Sequence, residues 1–492
     1  MSIEPVLNFT TDGKPNIPLT DNLKILLKEI GISSENLDEI PTTIKLRSGY
    51  NITNEDLNAL FDVDSLYVPH NFRITDISML QNIRELTLTG TKINTVPFLP
   101  KLETFYNSTN PKLEDVSALS HVKNINLMYC KNLKDVSMLG NVKTLNLTGC
   151  VSITDVSMLG NVKDLSLQYC NGITDVSALG NHKKLNLRSC YNIKDVSTLS
   201  NVKKLILSDC HNIIDVSMLT NVKELDLSNC ENIKHMPMLG ICENVCLSGC
   251  VNIINVFMLG NVKTLNLYGC KKVTDVSALT NVENLKLNRC TSITDVSMLY
   301  NVKTLNLTGC TGITDVSTLG NVNKLILDEC TRITDVSTLG NVKELSLYLC
   351  INITDVSALG NVEKLILSGC VGITDVSTLG NVKELILSSC VGITDVSALG
   401  NVKKLSIHGC VGITDISALG NVEELNINGC VGITDVSALG NVKKLNMRGC
   451  INVIEFSALK DVMIFDWLNP SDYSLGSTLQ SNLDDMRRRI IG

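Results

Sequence analysis

Cysteine stands at positions 130, 150, 170, 190 and onward to 450, every twentieth residue without a miss. A fixed period of this length constrains the fold more than any local motif. Each copy is too short to bury its own apolar face, so it must stack on its neighbours. Residues 141–160 read NVKTLNLTGCVSITDVSMLG and residues 421–440 read NVEELNINGCVGITDVSALG, giving the unit N-V-x-x-L-x-L-x-x-C-x-x-I-T-D-V-S-x-L-G. Regular copies run from 121 to 460, and degenerate ones begin near Asp62, about twenty coils in all.

Within each copy apolar residues alternate through V-x-x-L-x-L, the period of a strand of about four residues with one face buried. The spacing then lengthens to three through C-x-x-I-x-x-V-x-x-L, which suits turns and a single 3₁₀ turn better than a full helix. The inward set Val, Leu, Leu, Cys, Ile, Val and Leu predicts one continuous core along the array. Composition agrees, since 44% hydrophobic but only 4% aromatic residues suit small inward positions and not three conventional domains of ~150 residues. A net charge of −7 argues against a basic phosphate-binding face, so no nucleic-acid partner is expected. No run of about 18 apolar residues occurs, so no membrane span is expected. The opening residues MSIEPVLNFTTDGKPNIPL lack the basic-then-apolar order of an export signal, which predicts a cytoplasmic protein with free thiols.

The pattern resembles the leucine-rich-repeat family, whose L-x-x-L-x-L-x-x-N/C-x-L signature is matched by Val142, Leu145, Leu147, Cys150 and Ile153, among many copies. Cys followed by I-T-D is similar to the cysteine-containing subfamily, and the short D-V-S-x-L segment is similar to internalins. The resemblance implies an α/β repeat solenoid: a curved array with a concave parallel β-sheet, a convex side of short 3₁₀ turns, and helical N- and C-terminal caps. Twenty residues leave no room for the full convex helix of the cysteine-containing class. Another single-handed parallel β-helix is the alternative fold. The near-identical copies and Asn/Lys/Ile-rich composition also resemble tandem-repeat proteins of amoeba-infecting giant DNA viruses and of protists, which implies a host cell's cytoplasm.

Most recurring residues have structural explanations. An inward thiol fits the bend after the strand, and equal spacing along the ladder offers no preferred disulfide pairing. Cys242, Cys246 and Cys250 suggest a zinc site, but alternation turns Cys246 outward and Cys250 inward. The aspartate column (Asp135, Asp155, Asp175) can accept backbone N–H bonds and cap the following turn. A calcium edge is the alternative, although the G-G-x-G-x-D pattern is absent. Lys123, Lys143 and Lys163 read as a solvated flank interrupted elsewhere by Glu243, Glu283, Glu363 and Glu423. The six histidines recur in no catalytic spacing, and no Gly-rich phosphate loop appears. No enzyme, cofactor or metal is expected.

Function is therefore expected where copies differ, on the outward strand positions that line the concave face in the resembled family. The eighth position supplies Gln168, Arg188, Tyr268, Asp328, Tyr348, His408 and Arg448. The sixth supplies Ile206, Cys246, Ile326, Ile366 and Ile386. Such a mixture suits a protein-binding face, although drift after tandem duplication would also produce variety. The expected activity is a monomeric, non-enzymatic scaffold for a protein ligand. The alternative is a substrate adaptor for a ubiquitin ligase, without a clear F-box. Domain boundaries are expected at 1–61 (N-terminal cap with a helix and one imperfect coil), 62–460 (solenoid) and 461–492 (C-terminal cap with a terminal helix). Residues 221–260 break the pattern at His235-Met236-Pro237 and at Asn255 and Phe257, so a disturbance of the turns is expected there.

Overall fold

The computed structural model describes residues 42–46, 52–237, 239 and 241–464. These form two compact units. One runs to Ile233 and includes Pro237–Cys242; the other comprises Lys234–Met236 and the residues from Glu243 onward. The division falls in the coils that depart from the repeat.

The first unit contains ten strands, from β1 (Thr43–Lys45) to β10 (Glu224–Asp226). Each pairs in parallel with the next at a register of about one repeat, as Leu145 facing Leu165 and Leu205 facing Leu225 show. The second unit contains twelve, from β11 (Asn244–Cys246) to β22 (Met463–Ile464), with the same parallel register. Within each unit the array is a leucine-rich-repeat type of solenoid, with the sheet on one side and short 3₁₀ turns such as Ser357–Asn361 on the other.

The seven apolar positions expected inward are buried in coil after coil. In residues 141–160 they are Val142, Leu145, Leu147, Cys150, Ile153, Val156 and Leu159, none more than 3% exposed. Their three-residue spacing has a hydrogen-bonding cause. The N–H of Cys150 donates to Leu147 O (3.0 Å), Ile153 to Cys150 O (3.3 Å), and Leu159 to Val156 O (3.0 Å), so inward residues are linked by successive tight turns. The typical strand is three residues, one shorter than the alternation suggests. The chain leaves it because position 9 is left-handed, with φ of 59° at Tyr129 and 76° at Gly149. Asn at position 6 reinforces the exit by accepting the N–H of residue 8, as Asn146 does from Thr148 at 3.0 Å.

The thiols complete the interior. Leu127 O accepts the N–H of Cys130 at 3.2 Å in its own coil and the Sγ–H of Cys150 at 3.1 Å from the next. The bond recurs from Cys170 to Leu147 O (3.1 Å) and from Cys310 to Leu287 O (3.0 Å). Burial pushes these thiols up, Cys170 and Cys310 to about 12 and Cys410 to about 11, so they remain protonated donors. None of the nineteen cysteines is in a disulfide.

The aspartate column caps the turns as expected, from one residue before the formal cap position. Asp155 Oδ1 accepts the Ser157 N–H at 2.8 Å, and Asp355 does the same for Ser357. The bond to the Ser157 N–H holds Asp155 below the ordinary carboxylate range, and its hydroxyl adds to the effect.

The helical caps expected from the resemblance are not supported by the described residues, where the α-helix is the single-turn α1 (Asn54–Asn58). Most of the two expected caps, residues 1–41, 47–51 and 465–492, lies outside the described residues. Ahead of the array β1 pairs in parallel with β2 (Ser65–Val68). Among the described residues no helix is long and apolar enough to cross a membrane.

Candidate functional site

Positions 4, 6 and 8 face outward from the sheet because positions 5 and 7 face the core. Position 6 carries more structure than its exposure suggests. Asn186, Asp226, Asn266 and Asn446 each accept the N–H of the residue two places on, at 3.1, 2.9, 3.0 and 3.2 Å. An Asn or Asp there closes the strand, so its variation is restricted.

The structure brings the candidate residues into two groups. In the first unit Gln168, Arg188 and Ile206 occupy three successive coils. Gln168 donates to Ser166 Oγ at 3.2 Å, and Arg188 Nε to Asp209 at 2.9 Å. Ile206, half-buried, faces Asp226 in the next strand. In the second unit Ile326, Asp328, Tyr348, Ile366, Ile386 and His408 follow one another across β15 (Lys324–Ile326), β16 (Glu344–Ser346), β17 (Lys364–Ile366), β18 (Glu384–Ile386) and β19 (Lys404–Ser406). Ile366 and Ile386 stand directly opposite each other. Tyr348 is exposed, and the half-buried His408 places Nδ1 3.0 Å from Asn428 O. Cys246 and Tyr268 sit together nearer the start of this unit, where Asn266 Nδ2 donates to Cys246 Sγ at 3.4 Å. Arg448 lies apart from both clusters, its N–H held by Asn446.

Asp328 has a scaffold role that its variable position hid. Ser346 occupies position 6 of the following coil, so that coil lacks the usual amide acceptor. Asp328 reaches across instead, accepting the Ser346 hydroxyl and the Tyr348 N–H at 3.0 Å. Burial raises its carboxyl above the ordinary range, against the effect of those two bonds. Cys242 is buried and donates to Lys223 O at 3.3 Å, while Cys246 stands on the outward face. Among the described residues no three His, Cys, Asp or Glu side chains are grouped to hold a metal ion.

The outward charges form an arrangement that residue-by-residue reading missed. Position 4 runs Lys324, Glu344, Lys364, Glu384, Lys404, Glu424, Lys444 across neighbouring strands. Ion pairs join Lys324 to Glu344 (2.7 Å), Lys364 to Glu384 (2.6 Å) and Glu424 to both Lys444 (3.0 Å) and Lys404 (3.1 Å). The Lys444 ammonium, helped by Lys404, holds the Glu424 carboxyl below its usual range. The glutamates that interrupt the position-3 lysines are partners too, with Glu363 3.1 Å from Lys383 and Glu423 3.1 Å from Lys443. The alternation is visible only when copies are aligned and the stack is known to be parallel and in register.

A short parallel strand, an inward cysteine bonded to the preceding coil and, in most copies, a 3₁₀ return thus recur at twenty-residue steps. Each unit has the leucine-rich-repeat fold. No protein-family model matches the chain, and no curated protein matches it. Among solved structures, the functional domain of InlJ from Listeria monocytogenes, described as including a cysteine ladder, is 22% identical and has a TM-score of 0.43. That likeness covers 72% of this chain and 74% of the other. The internalin InlF from the same organism is 20% identical over 78% of this chain and 93% of its own, with a TM-score of 0.27. A leucine-rich-repeat protein of Leptospira interrogans is 17% identical over 86% of this chain and all of its own, with a TM-score of 0.34.

Proposed function

We propose that this leucine-rich-repeat chain is a non-enzymatic scaffold that docks a protein partner on the outward face of its sheet. The observation that carries the reading is the in-register pair Ile366 and Ile386, half-exposed between Tyr348 and His408 and bordered by the Lys364–Glu384 ion pair. An apolar centre with an aromatic neighbour and a polar rim is the composition of a protein interface. The alternation of lysine and glutamate along position 4 supports a protein over a polyanion, because it leaves no single-sign track there for phosphates. Tyr268, Ile326 and Arg448 extend the same face, and Gln168, Arg188 and Ile206 offer a second polar patch in the first unit.

The test is site-specific photocrosslinking from position 386, compared with Ser377, which starts a 3₁₀ turn on the opposite side. Discrete protein adducts from 386 that vanish with Ile366→Glu, and none from 377, are expected. Equal adducts from both sites, or none from 386, refute the proposal.

A further inference from the structure

Position 9 takes the left-handed backbone conformation that disfavours side chains with a Cβ. Glycine meets this demand at 249, 269, 309, 369, 409, 429 and 449. Arg289, Glu329, Leu349 and Ser389 take the same conformation in the second unit, and in the first unit the column reads Tyr129, Gly149, Tyr169, Ser189, Asp209, Asn229. Asn and Asp tolerate the conformation through local hydrogen bonding, but tyrosine has no such compensation. Tyr129 and Tyr169 both sit at φ 59°. The turn imposes this conformation on every residue type that stands there, and what sets Tyr129 and Tyr169 apart is that two large, partly exposed rings occupy alternate coils of one column.

The two rings are placed regularly. The Tyr129 N–H donates to Thr148 O at 2.7 Å and the Tyr169 N–H to Arg188 O at 2.8 Å, so the inter-coil ladder still runs through this position. The tyrosines are therefore two strand spacings apart, ~10 Å. Gly149 lies between them, and the Tyr129 ring occupies the space above it: a Cβ there would fall 2.3 Å from Tyr129 Cδ1. The Tyr129 ring rests on the following coil yet remains 41% exposed, and Tyr169 remains 36% exposed. Beside Tyr169 a fixed polar fork follows, in which Asp209 accepts Arg188 Nε at 2.9 Å and Asn229 Nδ2 at 2.7 Å. Tyr191, stacked on His211 with rings 5.7 Å apart and 9° from parallel, adds a third flat surface in the neighbouring column.

We infer that this rim binds an extended β-1,4-linked oligosaccharide of neutral pyranose rings. The C–H face of a pyranose is apolar and stacks on an aromatic face. Its equatorial hydroxyls suit planar, pre-oriented guanidinium, carboxylate and amide groups, which donate and accept in pairs. In such a chain every second ring presents the same face, and that disaccharide repeat is close to the backbone separation of Tyr129 and Tyr169. A protein anchor would need the rings packed into one apolar patch, whereas a glycine separates them here.

The substitutions Tyr129→Gly and Tyr169→Gly make the test clean, because glycine relaxes the left-handed backbone and so retains or raises stability. Calorimetric titration of the full chain with cellohexaose and with chitohexaose is expected to show saturable binding of at least one. The double variant should weaken it tenfold or more, with a urea midpoint no lower than wild type. Failure of both hexaoses to bind the wild type at millimolar concentration overturns the inference. So does binding that survives the double substitution, or a protein ligand captured through these tyrosines without saccharide binding. The observation that carries the protein-docking reading, the Ile366–Ile386 pair, lies in the second unit and is untouched by these results.

Discussion

Raising the pH tests the thiol ladder most directly. Burial pushes Cys290, Cys310 and Cys330 to about 12, whereas an unfolded cysteine titrates near ~8.5. An acid whose folded value is raised keeps its proton in the native state while the unfolded chain releases it. Its contribution is therefore fully present below the unfolded value and is lost as pH rises toward the folded one. Each thiol then removes about 1.4 kcal/mol of stability per pH unit in that window. Three thiols together remove about 4 kcal/mol per unit. The assay is urea unfolding followed by circular dichroism from pH 8 to 11, comparing wild type with Cys290→Ser/Cys310→Ser/Cys330→Ser. Serine keeps a donor for the preceding carbonyl but does not titrate in this range. The variant should start less stable at pH 8, because a hydroxyl is costlier to bury, and should then lose stability more slowly by about that difference. Lysines and tyrosines titrate equally in both proteins, so they cancel. Parallel pH dependences would refute the assignment of this column as buried protonated donors.

The same geometry makes further predictions. A maleimide at neutral pH should label Cys246 in the native chain, since it is the half-exposed thiol among eighteen buried ones, and all nineteen after denaturation; mass spectrometry counts the adducts. Gly149→Ala should destabilise by about 1–3 kcal/mol in urea, from positive φ and the clash with Tyr129. Adding Tyr129→Gly should recover part of that loss, a coupling that a double-mutant cycle measures. His182 replaces the inward valine at 3% exposure with neither ring nitrogen partnered, and burial lowers its pKa. His182→Val should stabilise by about 1–3 kcal/mol. Wild type alone should then lose further stability as pH falls below ~6.5, where the unfolded imidazole takes a proton that the buried ring resists.

Much of the fold was legible because it follows from one period and two spacings. Alternation marked Leu145 and Leu147 as inward, and the change to threes marked Cys150, Ile153, Val156 and Leu159, all of which are buried. The aspartate caps were legible because an Asx turn is a local bond between near neighbours, as at Asp155 and Ser157. The left-handed position was not. Its residue type varies from Gly149 to Tyr169 and Leu349, and only the turn geometry shows that all share one backbone state. Asp328 was read as a recognition residue because its true partners, Ser346 and the Tyr348 N–H, lie a coil away. The candidate site was thus legible as a set of outward positions, while the bonds that occupy some of those positions required the register.

That register also limits how freely the outward positions can drift. In a parallel in-register stack each residue faces its own counterpart, so copying a coil unchanged places like beside like every ~4.8 Å. Neutral columns such as the cysteines accept this arrangement. The aspartates accept it because each carboxylate is bonded to its own turn, as Asp375 is to Ser377. A copied lysine on the sheet face has no such bond, and like charges directly opposite destabilise. The alternation from Lys324 to Lys444 avoids that repulsion. From Lys324 to Lys444 position 4 therefore follows stacking electrostatics, although Lys184 faces Lys204 in the first unit, and position 6, where it is Asn or Asp, follows strand exit. Neither constraint acts on the side chains of Tyr348 or Tyr268 at position 8, nor on the half-exposed isoleucines at 366 and 386. The docking proposal is centred on residues that these two constraints do not reach.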